Sequence, residues 1–127
     1  MVPSGECWRL LETRSVGRLA VVVDDQPEIV PVNYLVVDSA VVFRTEGGTK
    51  LHALESHHQV AFEADEIDGP ARTGWSVMVK GKAEEIRDPA PLRHLRAMPL
   101  DVWASGERPH WIRIVPFEIT GRRILHR

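Results

Sequence analysis

Along most of this chain apolar and polar residues alternate with the two-residue period of a strand, and only three short stretches switch to a helical period. The stretch "VGRLAVVV" at 16–23 is rich in β-branched residues and ends at Asp24, Asp25, Gln26 and Pro27, a turn-type cluster. "EIVPVNYLVV" at 28–37 then reads as the returning strand, Asp38 and Ser39 as a second turn, and "AVVFRT" at 40–45 as a third strand. Further strands are expected at 59–65, 74–86 and 110–125. The helical stretches are "ECWRLLETR", with Cys7, Leu10 and Leu11 on one face and Ser4 available as a cap, and "TKLHALESHH", with Leu51, Ala53 and Leu54 at helical spacing. The third is "DPAPLRHLRAM", with Asp88 as cap and Pro89 at the first position.

Short strands joined by hairpins, with small helices between them, call for a closed or nearly closed antiparallel barrel of six strands. The fold class is therefore mainly β. A barrel of that size fills its interior with side chains, so a large ligand belongs outside, in a groove or at a subunit interface. With 127 residues, no repeats and no linker, residues 1–127 read as one domain.

Composition excludes several classes. The formal net charge of -2 provides no general field for nucleic acid, and three Phe with one Tyr are few for a base-stacking barrel. No apolar run approaches the roughly 20 residues that span a bilayer, and no basic-then-apolar leader is visible, so a cytoplasmic protein without membrane attachment is expected. The single cysteine, Cys7, rules out an internal disulfide and fits a reducing compartment. The six histidines show no ligand spacing: His57 and His58 are adjacent and would point to opposite strand faces, so no metal site is expected.

Any positive site must then be local, and "VVFRTEGGTKL" at 41–51 offers one. Alternation sets Val41, Phe43 and Thr45 on one face and Val42, Arg44 and Glu46 on the other. Two glycines follow, then Thr49 at a helix cap position and Lys50 in the first turn. A guanidinium, hydroxyls, an ammonium and free helix-start N–H groups in that order can converge on a phosphate. The same residues also make an ordinary strand-to-helix turn with solvated charges. In "GWSVMVKGKAEEI", Trp75, Val77 and Val79 share one face, while Ser76, Met78, Lys80 and Lys82 share the other, which reads equally as a solvated outer surface. Pro31 cannot donate to a ladder, so its strand breaks there or offers an edge. Trp111 and Arg113 lie on one face of the last strand, with Ile112 and Ile114 on the core side, a spacing that also suits a cation–π pair.

In that order, "PVNY", "VVFRTEGGTKL", "GWSVMVKGKAEEI" and "WIRIVPFEITGRRI" resemble the pyridoxamine 5′-phosphate oxidase-like split-barrel flavoproteins, in particular the small actinobacterial-type members. The resemblance covers nearly the whole chain. It implies FMN as cofactor, with Val32, Asn33 and Tyr34 along the isoalloxazine and Arg44, Thr45, Thr49 and Lys50 on ribityl and phosphate oxygens. Trp75 and Ser76 would line the flavin groove. It further implies a homodimer with flavin at the interface, reached from the partner chain by Trp111 and Arg113, and hydride transfer from a reduced nicotinamide through the flavin to a small acceptor. Arg113 is the expected source of positive charge beside the ring. Some relatives use a deazaflavin coenzyme, for whose acidic tail Lys80 and Lys82 could form a basic groove; a non-enzymatic flavin carrier would share the same residues. Because the chain finishes "GRRILHR", without the basic end that pyridoxamine phosphate oxidase proper uses, that substrate is not expected.

Overall fold

Two tight turns set the first three strands. Asp24 and Asp25 have φ of 48° and 63°, and Asp38 and Ser39 have 51° and 55°. Positive φ at both central residues is the type I′ hairpin turn, whose twist matches that of the strands it joins. Val37 and Ala40 close the second turn with reciprocal backbone hydrogen bonds of 2.9 and 3.0 Å. The computed structural model describes residues 1–46, 52–54, 58–98 and 110–125. Its strands are β1 (Val16–Val23), β2 (Gln26–Val36), β3 (Val41–Thr45), β4 (Gln59–Asp68), β5 (Thr73–Glu85) and β6 (His110–Ile124), with helices α1 (Ser4–Glu12) and α2 (Pro89–Arg96). All six expected strands form, within three residues at each end. Residues 52–54 are helical, and the rest of the helix expected around them lies outside the described residues.

The strands close into an antiparallel barrel in the order β1-β2-β3-β6-β5-β4. β1-β2-β3 and β4-β5-β6 are each meanders, joined where β3 meets β6 and β1 meets β4. Pro31 does not break β2. Instead β2 changes partner: residues 26–33 pair with β1, and only Tyr34, Leu35 and Val36 pair with β3. Pro31 falls where β2 has no strand on its second side among the described residues, the place where a missing N–H costs least.

Side chains fill the interior. Leu19, Val41, Phe43, Phe62, Val77, Val79 and Ile114 are fully buried. The Phe62 ring lies over Gly17, where any Cβ would overlap it. Tyr34 meets Phe62 edge-to-face with ring centroids 4.8 Å apart, and its hydroxyl donates to the Leu11 carbonyl at 2.5 Å. That bond ties the barrel to α1, whose Cys7 and Leu11 are fully buried. Ser4 is not the cap of α1: the cap position is Pro3, and Ser4 is the first helical residue. At α2 Asp88 holds the expected cap position with Pro89 after it, but its side chain makes no capping hydrogen bond. No helix among the described residues is long and apolar enough to cross a membrane.

On the outer surface, Arg18 of β1 bridges Glu63 and Asp65 of β4 at 3.1 and 3.2 Å. One guanidinium thus serves two carboxyls. Burial and the neighbouring Asp65 outweigh Arg18 and push the Glu63 carboxyl from 4.5 up to about 7. Between those values the folded protein binds more protons than the unfolded chain, so stability contributed by Glu63 is full at acid pH and is lost as pH rises through the window. Urea midpoints at about pH 5 and pH 8 are expected to lie closer together in Glu63→Gln than in the unsubstituted protein. An unchanged gap would show that Glu63 does not titrate there.

Candidate functional site

The filled interior directs attention outward, and β3 is the strand whose outer face is also covered. Val42 on that face packs with Ile86, Leu95 of α2 and Trp111 in a second, smaller apolar cluster. Arg44, two residues on, pairs across the ladder with Trp111 of β6. Its guanidinium carbon lies 5.3 Å from the Trp111 ring centroid, within cation–π range. The β2–β3 register ends at Tyr34 opposite Phe43, and Asn33 and Arg44 are the next residues of the two strands beyond that last pair. Asn33, Arg44 and Trp111 therefore form one row across three neighbouring strands on the outside of the barrel.

Two polar atoms in this row are buried and unpartnered among the described residues: Asn33 Oδ1 and Arg44 Nε. Burial without a partner costs on the order of 1–3 kcal/mol per group. An acceptor and a donor left open on neighbouring strands are complementary to a ligand that carries both functions, and the Trp111 ring beneath the guanidinium holds the donor in place. This row is the candidate site.

The other expected site residues divide into those near the row and those away from it. Val32 is 8% exposed and turns its side chain into the barrel core, so only its backbone faces outward. Tyr34 is likewise a core residue, its phenol pKa raised by burial. Thr45 is buried, and its hydroxyl donates to the Glu46 carbonyl at 3.2 Å. Thr49 and Lys50 lie outside the described residues. Trp75 points into the core. Ser76 faces outward between Asp65 and Arg122. It stands ten positions along the chain from Ile86, on the order of 30 Å at the rise of a strand, so within one protomer Ser76 does not meet the row.

Arg113 lies beyond Trp111 on the same outward face. It does not form the cation–π pair that its spacing suggested, because Arg44 occupies the ring. Its Nε and Nη2 instead donate to Glu84 Oε1 at 3.2 and 2.8 Å. Of the two lysines considered for a basic groove, Lys80 pairs with Glu118 at 3.6 Å. Lys82 borders a separate cavity that also holds Glu84 and Glu85. Among the described residues no three or more His, Cys, Asp and Glu side chains are placed to hold a metal ion together.

The sequence reading missed a groove beside the row. Its lining includes Asp38, Val42, Ile86, His94, Leu95 and Arg113, and it encloses about 400 Å³. The available signal was the spacing of Pro91, Leu92 and Leu95, which marks the apolar face of α2; what that face covers was not readable from the spacing.

A six-stranded antiparallel barrel of this order is the split-barrel fold, with its candidate site on the outer surface. The chain belongs to the pyridoxamine 5′-phosphate oxidase family, matched over residues 3–123. It is 36% identical over 125 residues to the uncharacterized Mycobacterium tuberculosis protein Rv0080, covering 94% of this chain and 82% of that one. The structure of the FAD binding protein from Mycobacterium smegmatis superposes with a TM-score of 0.81 at 39% identity, covering 97% of this chain and 98% of that one. A conserved Corynebacterium diphtheriae protein of unknown function has a TM-score of 0.79 at 34% identity over 98% and 96% of the two chains.

The unpartnered Asn33 carbonyl gives a direct expectation for stability. Asn33→Ala removes a group whose burial is uncompensated, so the ligand-free protein should lose no stability and gain up to about 1 kcal/mol. Urea unfolding checks this; a clear loss would mean that Asn33 is already satisfied.

Proposed function

We propose that this protein binds a flavin across the Asn33–Arg44–Trp111 row and acts as a flavin-dependent oxidoreductase. The observation that carries the reading is the pair of buried atoms without a hydrogen-bond partner among the described residues, Asn33 Oδ1 and Arg44 Nε, on outward-facing positions of β2 and β3. A flavin offers what they lack: ring N–H donors and ribityl and phosphate oxygens. In this reading Arg44 donates to an oxygen of the ribityl–phosphate chain, charge-assisted and braced on Trp111, while Asn33 accepts from the polar rim of the ring. The free side of β2 next to Pro31 adds backbone groups, and Thr49 and Lys50 complete the phosphate end. When bound, a flavin supplies the hydride and electron chemistry that no side chain of this row possesses. The residues bind and orient it, and the apolar cluster of Val42, Ile86, Leu95 and Trp111 keeps water from its flank.

FMN and FAD share the ring, the ribityl chain and the first phosphate, so the row serves either. The Mycobacterium smegmatis relative is a FAD binding protein. Both flavins are therefore titrated against the purified protein by fluorescence. Saturable binding of at least one is expected, weakened about tenfold or more in Arg44→Ala, since a charge-assisted hydrogen bond contributes roughly 1.5–3 kcal/mol. Equal affinity in the variant would remove the row from the flavin site. Oxidation of NADH or NADPH by the loaded protein then separates an enzyme from a carrier.

A homodimer is part of the proposal. Phe117 and Ile29 are 64% and 73% exposed. Phe117 shares a shallow concavity with Ala20, Val22 and Ala61 on the outside of the barrel, and Ile29 pairs with Ala20 next to it. An apolar stripe of this kind suits contact with a second copy. Sedimentation is expected to give a dimer that Phe117→Asp shifts toward monomer; a monomer at all concentrations would end this part of the reading.

A further inference from the structure

We propose that the groove between α2 and the β3–β6 pair is the seat of a second substrate, a flat and neutral ring compound bearing a carbonyl group. The inference deepens the oxidoreductase reading, and rests on it for the role of the groove though not for binding itself.

The groove has the volume of a small-molecule site, about 400 Å³. Val42, Ile86, Leu95 and Pro91 give it apolar walls. Val42 and Arg113 follow Arg44 and Trp111 on the same outward faces of their strands, two residues along in each case. Same-face neighbours on a strand are about 7 Å apart, so an occupant of the groove lies one row from whatever Arg44 and Trp111 hold.

The polar groups decide the charge of the occupant. Arg113 alone would favour an anion, but Glu84 already takes two of its N–H bonds, the shorter at 2.8 Å, and offsets its charge. Asp38 adds a negative charge to the lining. A carboxylate entering the groove would meet Asp38 and gain little from a neutralised guanidinium. A guanidinium nonetheless carries five N–H donors, so Arg113 keeps donors for a neutral carbonyl oxygen. Donors on an apolar wall, without net positive charge, fit a flat ketone- or quinone-type molecule and disfavour its acid analogue.

Two naphthalene probes of almost equal shape test this: 2-acetylnaphthalene, which is neutral, and 2-naphthoate, which is charged. In equilibrium dialysis with flavin-free protein, 2-acetylnaphthalene is expected to bind saturably and at least about tenfold more tightly than 2-naphthoate. Asp38→Asn keeps a residue that tolerates the turn's φ of 51°. It should tighten 2-naphthoate severalfold and leave 2-acetylnaphthalene unchanged. His94→Trp, at an exposed position of α2 that lines the groove, should weaken both. Equal binding of the two probes, preference for 2-naphthoate, or no saturable binding of 2-acetylnaphthalene would overturn the proposal. Flavin titration of the same preparation keeps the two readings apart. Flavin binding without probe binding removes the groove proposal alone, and probe binding without flavin binding removes the flavin reading and the groove's role as a substrate seat while leaving the binding site itself.

Discussion

A barrel of six strands has room inside for its own side chains and nothing else. Phe43, Phe62, Leu19, Val77 and Val79 occupy that space here, and the Phe62 ring over Gly17 leaves no slack for even one extra carbon. Everything functional must then be arranged on the outside. The fold meets this constraint by covering one part of its outer surface with α2, which creates a second sheltered region at the β3–β6 ladder. Arg44 and Trp111 are partly or wholly buried although they point away from the core, and Asn33 completes their row.

How much of this was legible in the sequence follows from the range of each interaction. The strands and the places of both turns were readable because alternation and turn chemistry are local: Asp-Asp and Asp-Ser sit where positive φ is needed, and β-branched runs flank them. The first turn is nevertheless two residues rather than the four read from the sequence, Gln26 and Pro27 already pairing with Val23 and Val22. The inward positions of Phe43, Val77, Ile112 and Ile114 followed from the same period. Arg44 was singled out by its place at a strand end. What local pattern could not supply was partner choice across the barrel. The aromatic–arginine pair falls between β3 and β6, so the spacing of Trp111 and Arg113 within one strand suggested the wrong arginine. Trp75 and Tyr34 were legible as strand residues, but whether an aromatic belongs to a core or to a ligand depends on what packs against it, and here both belong to one buried cluster in which Tyr34 meets Phe62 edge-to-face. The cap at Ser4 failed for a local reason: Pro3, with its fixed φ, takes the cap position and the helix begins at Ser4 itself, one residue earlier than a Ser4 cap would set it.

The outer row also explains why a small protein keeps polar atoms buried without partners. A chain selected for stability alone would place apolar residues at Asn33 and Arg44, as it does at the neighbouring Leu35 and Val42. Under the proposed flavin binding, retaining an amide and a guanidinium there would set the free energy of the empty site against that of the loaded one, and the difference would appear as affinity.

The change of partner along β2 has a mechanical meaning. Three residue pairs hold β2 to β3, whereas β5 and β6 are matched from Gly74 to Glu85. The barrel thus has one long ladder and two seams of three pairs, β1–β4 and β2–β3, and the second stops just short of Asn33 and Arg44. Local opening takes the path with the fewest bonds to break. A ligand bridging those two residues would act as a clasp across that seam, tying β2 to β3 within their meander, and amide exchange at Leu35, whose N–H faces β3 because that of Tyr34 goes to Ser15, would slow when the clasp is closed.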